Sequence, residues 1–180
     1  WTETQKLLGN DTAGGHQFGH ALAMDGDAVV IGAVGLGAGY VFNRTAGIWT
    51  QQAKVVGDDS IAGDGFGSSV AIDGSTIAIA AGYSDNGRGS VYLFTGTTNS
   101  WSQQQKLISS SPGVNRYFAS GLALQGDTLM VGQVGSEGHV DHFVRATDTW
   151  SLQATLIASD SSYSSLFGGN LALSGDTLLV

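Results

Sequence analysis

The chain has 180 residues, of which seven are basic and fifteen acidic, so its formal net charge is −8. A field of this sign repels phosphate backbones and anionic lipid, which argues against nucleic acid as a partner. The sequence contains no cysteine, which excludes disulfides and thiolate metal sites. It also has no apolar run near the roughly eighteen residues of a membrane span.

One phrase occurs four times along the chain. It reads FGHALAMDGDAVVIGA from Phe18, and related copies begin at Phe66, Phe118 and Phe167. A tryptophan precedes each copy, at Trp1, Trp49, Trp101 and Trp150. A period of about fifty residues is typical of repeat architectures. We therefore expect one repeat segment over 1–180, divided into units 1–48, 49–100, 101–149 and an incomplete unit 150–180.

The first two strands of each unit are predicted to form a hairpin. A turn glycine lies eight positions after each phenylalanine, and the predicted turns are Asp25-Gly26, Asp73-Gly74, Gln125-Gly126 and Ser174-Gly175. The first strand alternates large residues with alanine, as in Val70, Ala71 and Ile72. Because both sets are apolar, we expect both faces to be buried between neighbouring sheets.

Two further strands complete each unit. The third is predicted to end at Phe42, Phe94 and Phe143, and the fourth begins at the next tryptophan. Polar residues such as Gln52 and Lys54 in the fourth strand are typical of an exposed outer edge. Four antiparallel strands per unit predict an all-β chain of β-propeller blades, here about 3.6 repeats. A linear stack of sheets is the alternative.

These residues resemble the FG-GAP repeat family of integrin-alpha-like β-propellers. The resemblance rests on the Phe-Gly pairs that begin at Phe18, Phe66 and Phe167, on the glycines Gly32 and Gly132, and on the aromatic third strand. It implies a propeller of about seven blades used outside the cell for binding, adhesion or scaffolding rather than for chemistry.

Two features depart from the family pattern. Integrin repeats hold calcium in a longer acidic loop between the first two strands, and a two-residue turn cannot supply the several oxygen ligands that calcium needs. We therefore expect neither a metal nor another cofactor. In the third unit Ala119 replaces the glycine and Gln133 follows Gly132, which predicts a less regular blade.

The loops offer the candidate binding face. Length varies between units only in the loop between strands two and three, and the connection into the next unit varies in content. Variable loops on a rigid scaffold are where recognition is commonly found. The candidate residues are Asp58, Asp59, Asp64, Tyr83, Asp85, Arg88, Tyr117 and Tyr163. The alternative for each is a local role, with carboxylates capping turns and tyrosines packing nearby.

Chemistry-bearing residues do not form a recognisable catalytic or metal motif. His139 and His142 are three apart on a predicted strand and so point to opposite faces, and His16 and His20 flank the start of another. No serine has the turn-and-helix context of a nucleophile. We therefore expect that the protein is not an enzyme. Asn10 and Asn43 begin glycan acceptor triplets, both in predicted connections.

Three functions remain open from the sequence. The first is a non-enzymatic extracellular module that presents loops to a protein or glycan, or acts as a structural scaffold. The second is a carbohydrate-binding lectin that uses loop tyrosines, and the third is a hydrolase on the same scaffold. Because the sequence starts without Met and stops within its fourth unit, we expect either further blades in a longer chain or a second molecule that completes the ring.

Overall fold

The computed structural model describes residues 2–97, 99–109, 117–135, 138–159 and 166–180. These residues form three four-stranded antiparallel sheets and one two-stranded sheet, each with its strands in chain order. We call the sheets blades 1 to 4. The prediction of an all-β chain built from four-stranded propeller blades is confirmed.

The strand bounds repeat from blade to blade. Blade 1 consists of β1 (Phe18–Asp25), β2 (Ala28–Ala33), β3 (Ala38–Thr45) and β4 (Ile48–Val55). Blade 2 consists of β5 (Phe66–Asp73), β6 (Thr76–Ala81), β7 (Ser90–Thr97) and β8 (Ser100–Ile108), with the single turn α1 (Ser84–Gly87) between β6 and β7. Blade 3 consists of β9 (Phe118–Gln125), β10 (Thr128–Gln133), β11 (His139–Ala146) and β12 (Thr149–Ile157). Blade 4 consists of β13 (Ala172–Ser174) and β14 (Thr177–Leu179).

The third strands are longer than predicted, since each continues three residues beyond its phenylalanine. Each four-stranded sheet also takes its outer strand from the beginning of the next sequence unit, so sheets and sequence units are offset by one strand. The division into units 1–48, 49–100, 101–149 and 150–180 remains our proposal for how the sequence repeats.

The first hairpin of each blade turns one residue later than predicted. Asp25 pairs with Ala28, so the loop residues are Gly26 and Asp27, and Gly26 takes the positive φ of 55°. Asp25 therefore lies in the strand, and its carboxylate accepts a hydrogen bond of 2.8 Å from the backbone N–H of Gly74 in the next blade. The same bond recurs from Gly126 to Asp73 and from Gly175 to Gln125. In blades 1 to 3 the residue before the turn glycine thus joins its blade to the next one.

Large side chains of one blade pack on small side chains of the preceding blade. Val70 and Ile72 of β5 share a hydrophobic cluster with Ala21 and Ala23 of β1. Leu122 and Leu124 of β9 pack in the same way with Ala71 of β5, and Leu171 and Leu173 pack with Ala123. Alternation of large and small residues therefore lets neighbouring sheets approach closely, as the sequence predicts.

Burial of the first strand depends on the blade. In β5, Val70 and Ile72 are each 7% exposed and Ala71 is 6% exposed, so both faces are covered as predicted. In β1, Leu22 is 68% and Met24 65% exposed, which contradicts the prediction for that copy. The reason is that no blade among the described residues packs on this face of blade 1. Ala172 of blade 4 is exposed for the same reason at the other end.

Close backbone contacts explain the glycines of the repeat. A Cβ on Gly32 would lie 2.1 Å from the carbonyl oxygen of Gly67, and a Cβ on Gly132 would lie 1.7 Å from that of Gly168. Blade 2 has Ala80 at this position, and its neighbour in blade 3 has Ala119 in place of the glycine. The two exceptions therefore occur at the same junction.

Blade 3 is as regular as the others, which contradicts our expectation. Phe118 pairs with Gln133 and Leu122 with Val131, with the same interruption that separates Phe18 and Leu22 in blade 1. Ala119 keeps the left-handed backbone of the glycines it replaces, with φ at 69°. The backbone geometry of the repeat is thus retained without glycine, at a local conformational cost.

Candidate functional site

Two kinds of loop meet at one end of the blades, as the sequence predicts. The backbone N–H of Tyr83, in the β6–β7 loop, donates a 2.8 Å hydrogen bond to the carbonyl of Asp64, in the β4–β5 loop. In blade 1 the N–H of Gly35 donates to the carbonyl of His16 in the same way, at 3.1 Å. We call this end of the blades the loop face.

The β6–β7 loop has an unusual left-handed backbone. Asp85 (φ 52°, ψ 47°) and Asn86 (φ 62°, ψ 38°) lie in the left-handed helical region inside α1. Aspartate and asparagine tolerate this region better than other non-glycine residues. The buried Ser84 hydroxyl anchors the turn, within hydrogen-bond distance of the Ala81 carbonyl at 2.9 Å and the Ser90 hydroxyl at 2.7 Å. Tyr83 is consequently left 57% exposed on the loop face.

Beside this loop, two carboxylates share one ammonium group. Lys106 Nζ on β8 lies 2.8 Å from Asp59 Oδ2 and 3.3 Å from Asp85 Oδ2. Tyr92 donates its hydroxyl to Asp59 Oδ1 at 2.8 Å, and Lys106 lies 5.2 Å from the centre of the Tyr92 ring. Ser90 donates its hydroxyl to Asp85 Oδ2 at 2.7 Å. The ammonium is therefore held between an aromatic ring and two carboxylates.

The pKa values of these groups follow from their contacts. Hydrogen bonds from Lys106 and then from Tyr92 hold the pKa of Asp59 below its usual value. Burial raises the pKa of Tyr92 to about 12, and its bond to Asp59 contributes in the same direction. Burial alone would lower the pKa of Lys106, but its hydrogen bonds to Asp59 and Tyr92 raise it on balance. The three groups thus stabilise one another's ordinary charge states.

The same three residue types occur in blade 1. Tyr40 donates to Asp11 Oδ1 at 2.5 Å, and Lys54 lies 2.6 Å from Asp11 Oδ2. This set of an aspartate, a tyrosine and a lysine is therefore a structural feature of the repeat.

Blade 2 differs from blade 1 because Asp64, Tyr83 and Asp85 surround the set. Together they form a cleft of about 370 Å³, which we call the acidic cleft, with walls that include Asp59, Ile61, Asp64, Tyr83, Asp85 and Lys106.

A second cavity lies at the junction of blades 2 and 3. It measures about 240 Å³ and is lined by residues that include Ser68, Tyr83, Tyr117, Phe118, Ala119 and Val134. The rings of Tyr83 and Tyr117 meet edge to face, with centroids 6.0 Å apart. We call this cavity the tyrosine pocket. Tyr83 is a wall of both cavities, so the tyrosine pocket and the acidic cleft adjoin.

Backbone contacts hold Tyr117 in place. The N–H of Phe118 donates to the carbonyl of Arg88 at 3.2 Å, and the hydroxyl of Ser120 donates to the carbonyl of Tyr117. Tyr117 has a left-handed φ of 43° and is 43% exposed. Gln17 of blade 1 and Gly65 of blade 2 have positive φ at the same position, so the conformation belongs to the repeat while the tyrosine does not.

The structure brings together five of the eight candidate residues. Asp59, Asp64, Tyr83 and Asp85 line the acidic cleft, and Tyr117 joins Tyr83 in the tyrosine pocket. Asp58 lies apart, in an outer cleft with Lys54, Trp101 and Gln103, and its N–H donates to Gln103 Oε1 at 2.9 Å. Arg88 is exposed and contributes a backbone carbonyl to the Phe118 N–H. Tyr163 lies outside the described residues.

Sequence reasoning missed Lys106. Lys54 and Lys106 occupy the same place in successive units, and we interpreted this lysine as protection of an outer edge. The fourth strands do lie at the sheet edge, but both ammonium groups turn onto loop carboxylates. The recurring Asp11 and Asp59, together with the recurring Tyr40 and Tyr92, were the available signal.

The two glycan acceptor positions have different surroundings. Asn10 is exposed in a connection, and its backbone N–H donates to Gln51 Oε1 at 2.9 Å. Asn43 lies within β3 rather than in a connection, contrary to the prediction. Its Oδ1 is buried and has no hydrogen-bond partner among the described residues. Asn10 is consequently the more accessible acceptor.

The histidines of β11 face opposite sides of the sheet, as strand geometry requires. His139 is buried, with Nε2 3.8 Å from Asp141 Oδ1, while His142 lines a cleft against Leu173 of blade 4. Asp141 is fully buried and accepts a 2.6 Å hydrogen bond from the Thr155 hydroxyl. The part of the chain that the structure describes contains no group of three or more metal-ligating side chains.

The described strands and blades define a segment of a β-propeller. The FG-GAP repeat model matches residues 1–42, 49–94 and 150–180, so the chain belongs to the FG-GAP repeat family. The match omits 95–149, which contains most of blade 3 and the Ala119 exception. A comparison with curated proteins found no match.

Solved structures show the same fold. The computationally designed Ika4 protein is 16% identical with a TM-score of 0.62, and the match covers 99% of this chain and 90% of that one. Sqt1 of Saccharomyces cerevisiae is 12% identical with a TM-score of 0.59, over 83% of this chain and 38% of that one. Identities this low support likeness of fold alone. Within the described ranges, no helix is long and apolar enough to cross a membrane.

Proposed function

We propose that this chain is a non-enzymatic binding module that presents the loop face of blades 2 and 3 to a partner outside the cell. FG-GAP repeats are found in propeller-type binding and adhesion modules. The observation that carries the proposal is the meeting of Tyr83 and Tyr117, from two different blades, at an exposed pocket. Partly exposed tyrosines are common anchors in protein interfaces.

The repeat itself provides the argument that these tyrosines are not needed for folding. Gly35 makes the same backbone hydrogen bond in blade 1 as Tyr83 makes in blade 2. Gln17 and Gly65 hold the same backbone conformation as Tyr117. Because smaller residues perform both backbone roles elsewhere in the chain, the two aromatic rings supply surface rather than architecture.

The tyrosines also support a second candidate, a carbohydrate-binding lectin. Aromatic rings beside polar groups stack on sugar rings, and the hydroxyl-bearing Ser68 lines the same pocket as the two tyrosines. The hydrolase alternative has less support, because it needs a carboxyl group that exchanges protons near neutral pH. Asp59 and Asp85 are instead paired with Lys106, and the pKa of Asp59 is lowered.

Further blades of a longer chain, an extracellular location and glycosylation at Asn10 belong to the same proposal. An extracellular location is typical of FG-GAP repeats, and the acidic surface is compatible with it. The proposal also includes a structural scaffold, in which the loops bind neighbouring modules of the same assembly.

The test is binding to immobilised glycan and random-peptide arrays. We expect the chain to bind members of one array, and the double variant Tyr83→Ala, Tyr117→Ala to lose at least about 2 kcal/mol of binding free energy, the size of an interface hot spot. The matched control is Gln17→Ala, because Gln17 is the residue of blade 1 that corresponds to Tyr117. This variant should bind as the wild type does. Equal binding by the double variant would show that the loop face is not the site.

A further inference from the structure

We propose that the tyrosine pocket and the acidic cleft form one two-part site for a basic peptide segment of a partner protein. An apolar side chain of the peptide occupies the tyrosine pocket, and a neighbouring lysine or arginine occupies the acidic cleft. This inference rests on the proposed function and specifies the partner. The two cavities adjoin because the exposed Tyr83 ring is a wall of both.

The tyrosine pocket suits an apolar group. Its inner lining is the buried Phe118 and Ala119, with Val134 beside them, and the rings of Tyr83 and Tyr117 form its rim. A volume of about 240 Å³ accommodates an aliphatic or aromatic side chain. Burial of such a group contributes about 25 cal/mol for each Å² removed from water.

The charge of the acidic cleft determines which kind of group binds beside the tyrosine pocket. Among the described residues that line the acidic cleft, Asp59, Asp64 and Asp85 are acidic and Lys106 is basic, so these groups carry a formal charge of −2. Arg88 carries the only other charge of the β6–β7 loop apart from Asp85, and it lines neither cavity. The chain as a whole is also negative. Both the local and the overall field therefore attract a cationic group.

The carboxylates favour a cation over a neutral sugar. Asp59 already accepts hydrogen bonds from Tyr92 and Lys106, and Asp85 accepts one from Ser90. Asp64 accepts one from the backbone N–H of Ile61 at 2.9 Å. Directional acceptor positions for sugar hydroxyls are thus partly occupied, whereas the excess negative charge remains and acts without directional requirements.

A similar arrangement of a cation, an aromatic ring and a carboxylate already exists within the chain. Lys106 lies 5.2 Å from the centre of the Tyr92 ring and within 2.8 Å of Asp59. A peptide ammonium or guanidinium group in the acidic cleft would have the same kinds of neighbour, namely the Tyr83 ring and the carboxylates of Asp64 and Asp85. Cation–π attraction and charge pairing then act together.

The experiment follows backbone amide shifts of the ¹⁵N-labelled chain by NMR while small probes are added. The probes are N-acetyl-Leu-Arg-amide, N-acetyl-Leu-Glu-amide and methyl α-glucopyranoside. We expect the Leu-Arg probe alone to shift the amides of 82–85 and 118–120. Its dissociation constant should rise when sodium chloride is raised from low to high concentration, because exposed charge pairs are screened.

Variants separate the two parts of the site. Tyr83→Ala should weaken binding about tenfold or more, while Tyr83→Phe keeps the ring and should bind normally. Asp64→Asn keeps the acceptor for the Ile61 N–H but removes one charge, and should weaken binding about two- to fivefold. Asp148→Asn removes the same charge from the exposed β11–β12 turn and serves as the matched control. Urea unfolding of each variant identifies any loss of folding.

The outcomes distinguish this inference from the proposed function. If the Leu-Glu probe or the glucopyranoside shifts the same amides as strongly, the basic-peptide inference is wrong and the loop face remains a binding site. Unchanged affinity in Asp64→Asn would likewise contradict the role of charge. If no probe shifts these amides, the inference fails, and the array experiment decides the proposed function independently.

Discussion

The first strands of blades 1 and 2 have closely related sequences and opposite burial. β1 reads FGHALAMD and β5 reads FGSSVAID, and the two have the same length and the same interruption in pairing. Yet Leu22 and Met24 are exposed, whereas Val70 and Ile72 are buried against blade 1. The difference shows that local sequence sets strand and register, while burial comes from the adjacent blade.

The comparison also separates framework from surface. Each junction between blades uses large residues packed on alanines and a turn N–H that donates to a side-chain acceptor. The junctions of blade 1 with blade 2 and of blade 3 with blade 4 add a close backbone contact between glycines. The loop face uses different residues in each blade at equivalent backbone positions. A substitution in the framework should therefore change stability, and one in the loops should change binding.

The largest effect is expected from truncating the buried copy of the first strand. Ile72→Ala should lower the free energy of unfolding by about 2–4 kcal/mol, because it leaves a cavity between blades 1 and 2. Met24→Ala, at the equivalent position of blade 1, should change it by no more than about 0.5 kcal/mol. Urea unfolding followed by tryptophan fluorescence measures both. Similar losses would mean that another surface covers Met24 in solution.

The next largest change in the free energy of unfolding is expected from disturbing the close backbone contact between blades 1 and 2. Gly32→Ala should cost about 1–3 kcal/mol, since its Cβ would lie 2.1 Å from the Gly67 carbonyl oxygen and the blades must separate. The reverse change in blade 2, Ala80→Gly, should cost about 0.5–1 kcal/mol through backbone entropy. Thermal unfolding of the pair provides the comparison. A neutral Gly32→Ala would contradict the packing at this junction.

A smaller effect is expected from the buried tyrosine of blade 2. Tyr92→Phe should cost about 1 kcal/mol at pH 7, because it removes the hydroxyl that donates to Asp59. Tyr40→Phe should act in the same direction in blade 1. Circular dichroism during urea unfolding measures these differences, and no loss in either variant would contradict the shared role of the two sets.

The same variant predicts a dependence on pH. The pKa of Tyr92 is raised to about 12 from its usual 10.0. Its contribution to the free energy of unfolding is therefore complete below about pH 10 and is lost as the pH rises through 12. The pKa of Asp59 is lowered, so its contribution is present above about pH 4 and is lost as the pH falls further. The difference between wild type and Tyr92→Phe should shrink at both limits. A constant difference from pH 3 to pH 12 would argue against this assignment.

The smallest effect concerns the hydrogen bond between successive turns. Asp73→Ala should cost about 0.5 kcal/mol, the low end for a hydrogen bond, because the exposed Gly126 N–H loses its acceptor but can bond to water. Asp73→Gln should restore most of that loss, since Gln125 performs this role toward Gly175. Hydrogen exchange at the Gly126 amide is the direct readout. Unchanged exchange in Asp73→Ala would show that the bond does not persist in solution.

The fold was predictable because it depends on short-range patterns. Apolar alternation and the constant distance from phenylalanine to glycine gave the strands, the hairpins and the blade order. The turn centre was placed one residue early, because Asp25 and Asp73 resemble turn residues but act as acceptors for the next blade. That role depends on a neighbour about fifty residues away and has no local signature.

The candidate site was only partly predictable. Loop variability indicated Tyr83 and Asp85, and divergent connections indicated Asp59 and Asp64. The sequence did not show that Tyr83 would meet Tyr117, which is 34 positions away in another blade. Nor did it separate Asp58 from Asp59, although their side chains lie in different clefts.

The sequence by itself determined four-stranded blades, their order and the end at which variable loops lie. These follow from side-chain alternation and turn geometry, which act over a few residues. Only the tertiary structure decided which copies of the first strand are buried, how Lys106 is shared, and that two tyrosines form one pocket. Those features depend on the distance and orientation between sheets, which packing of many remote side chains sets together.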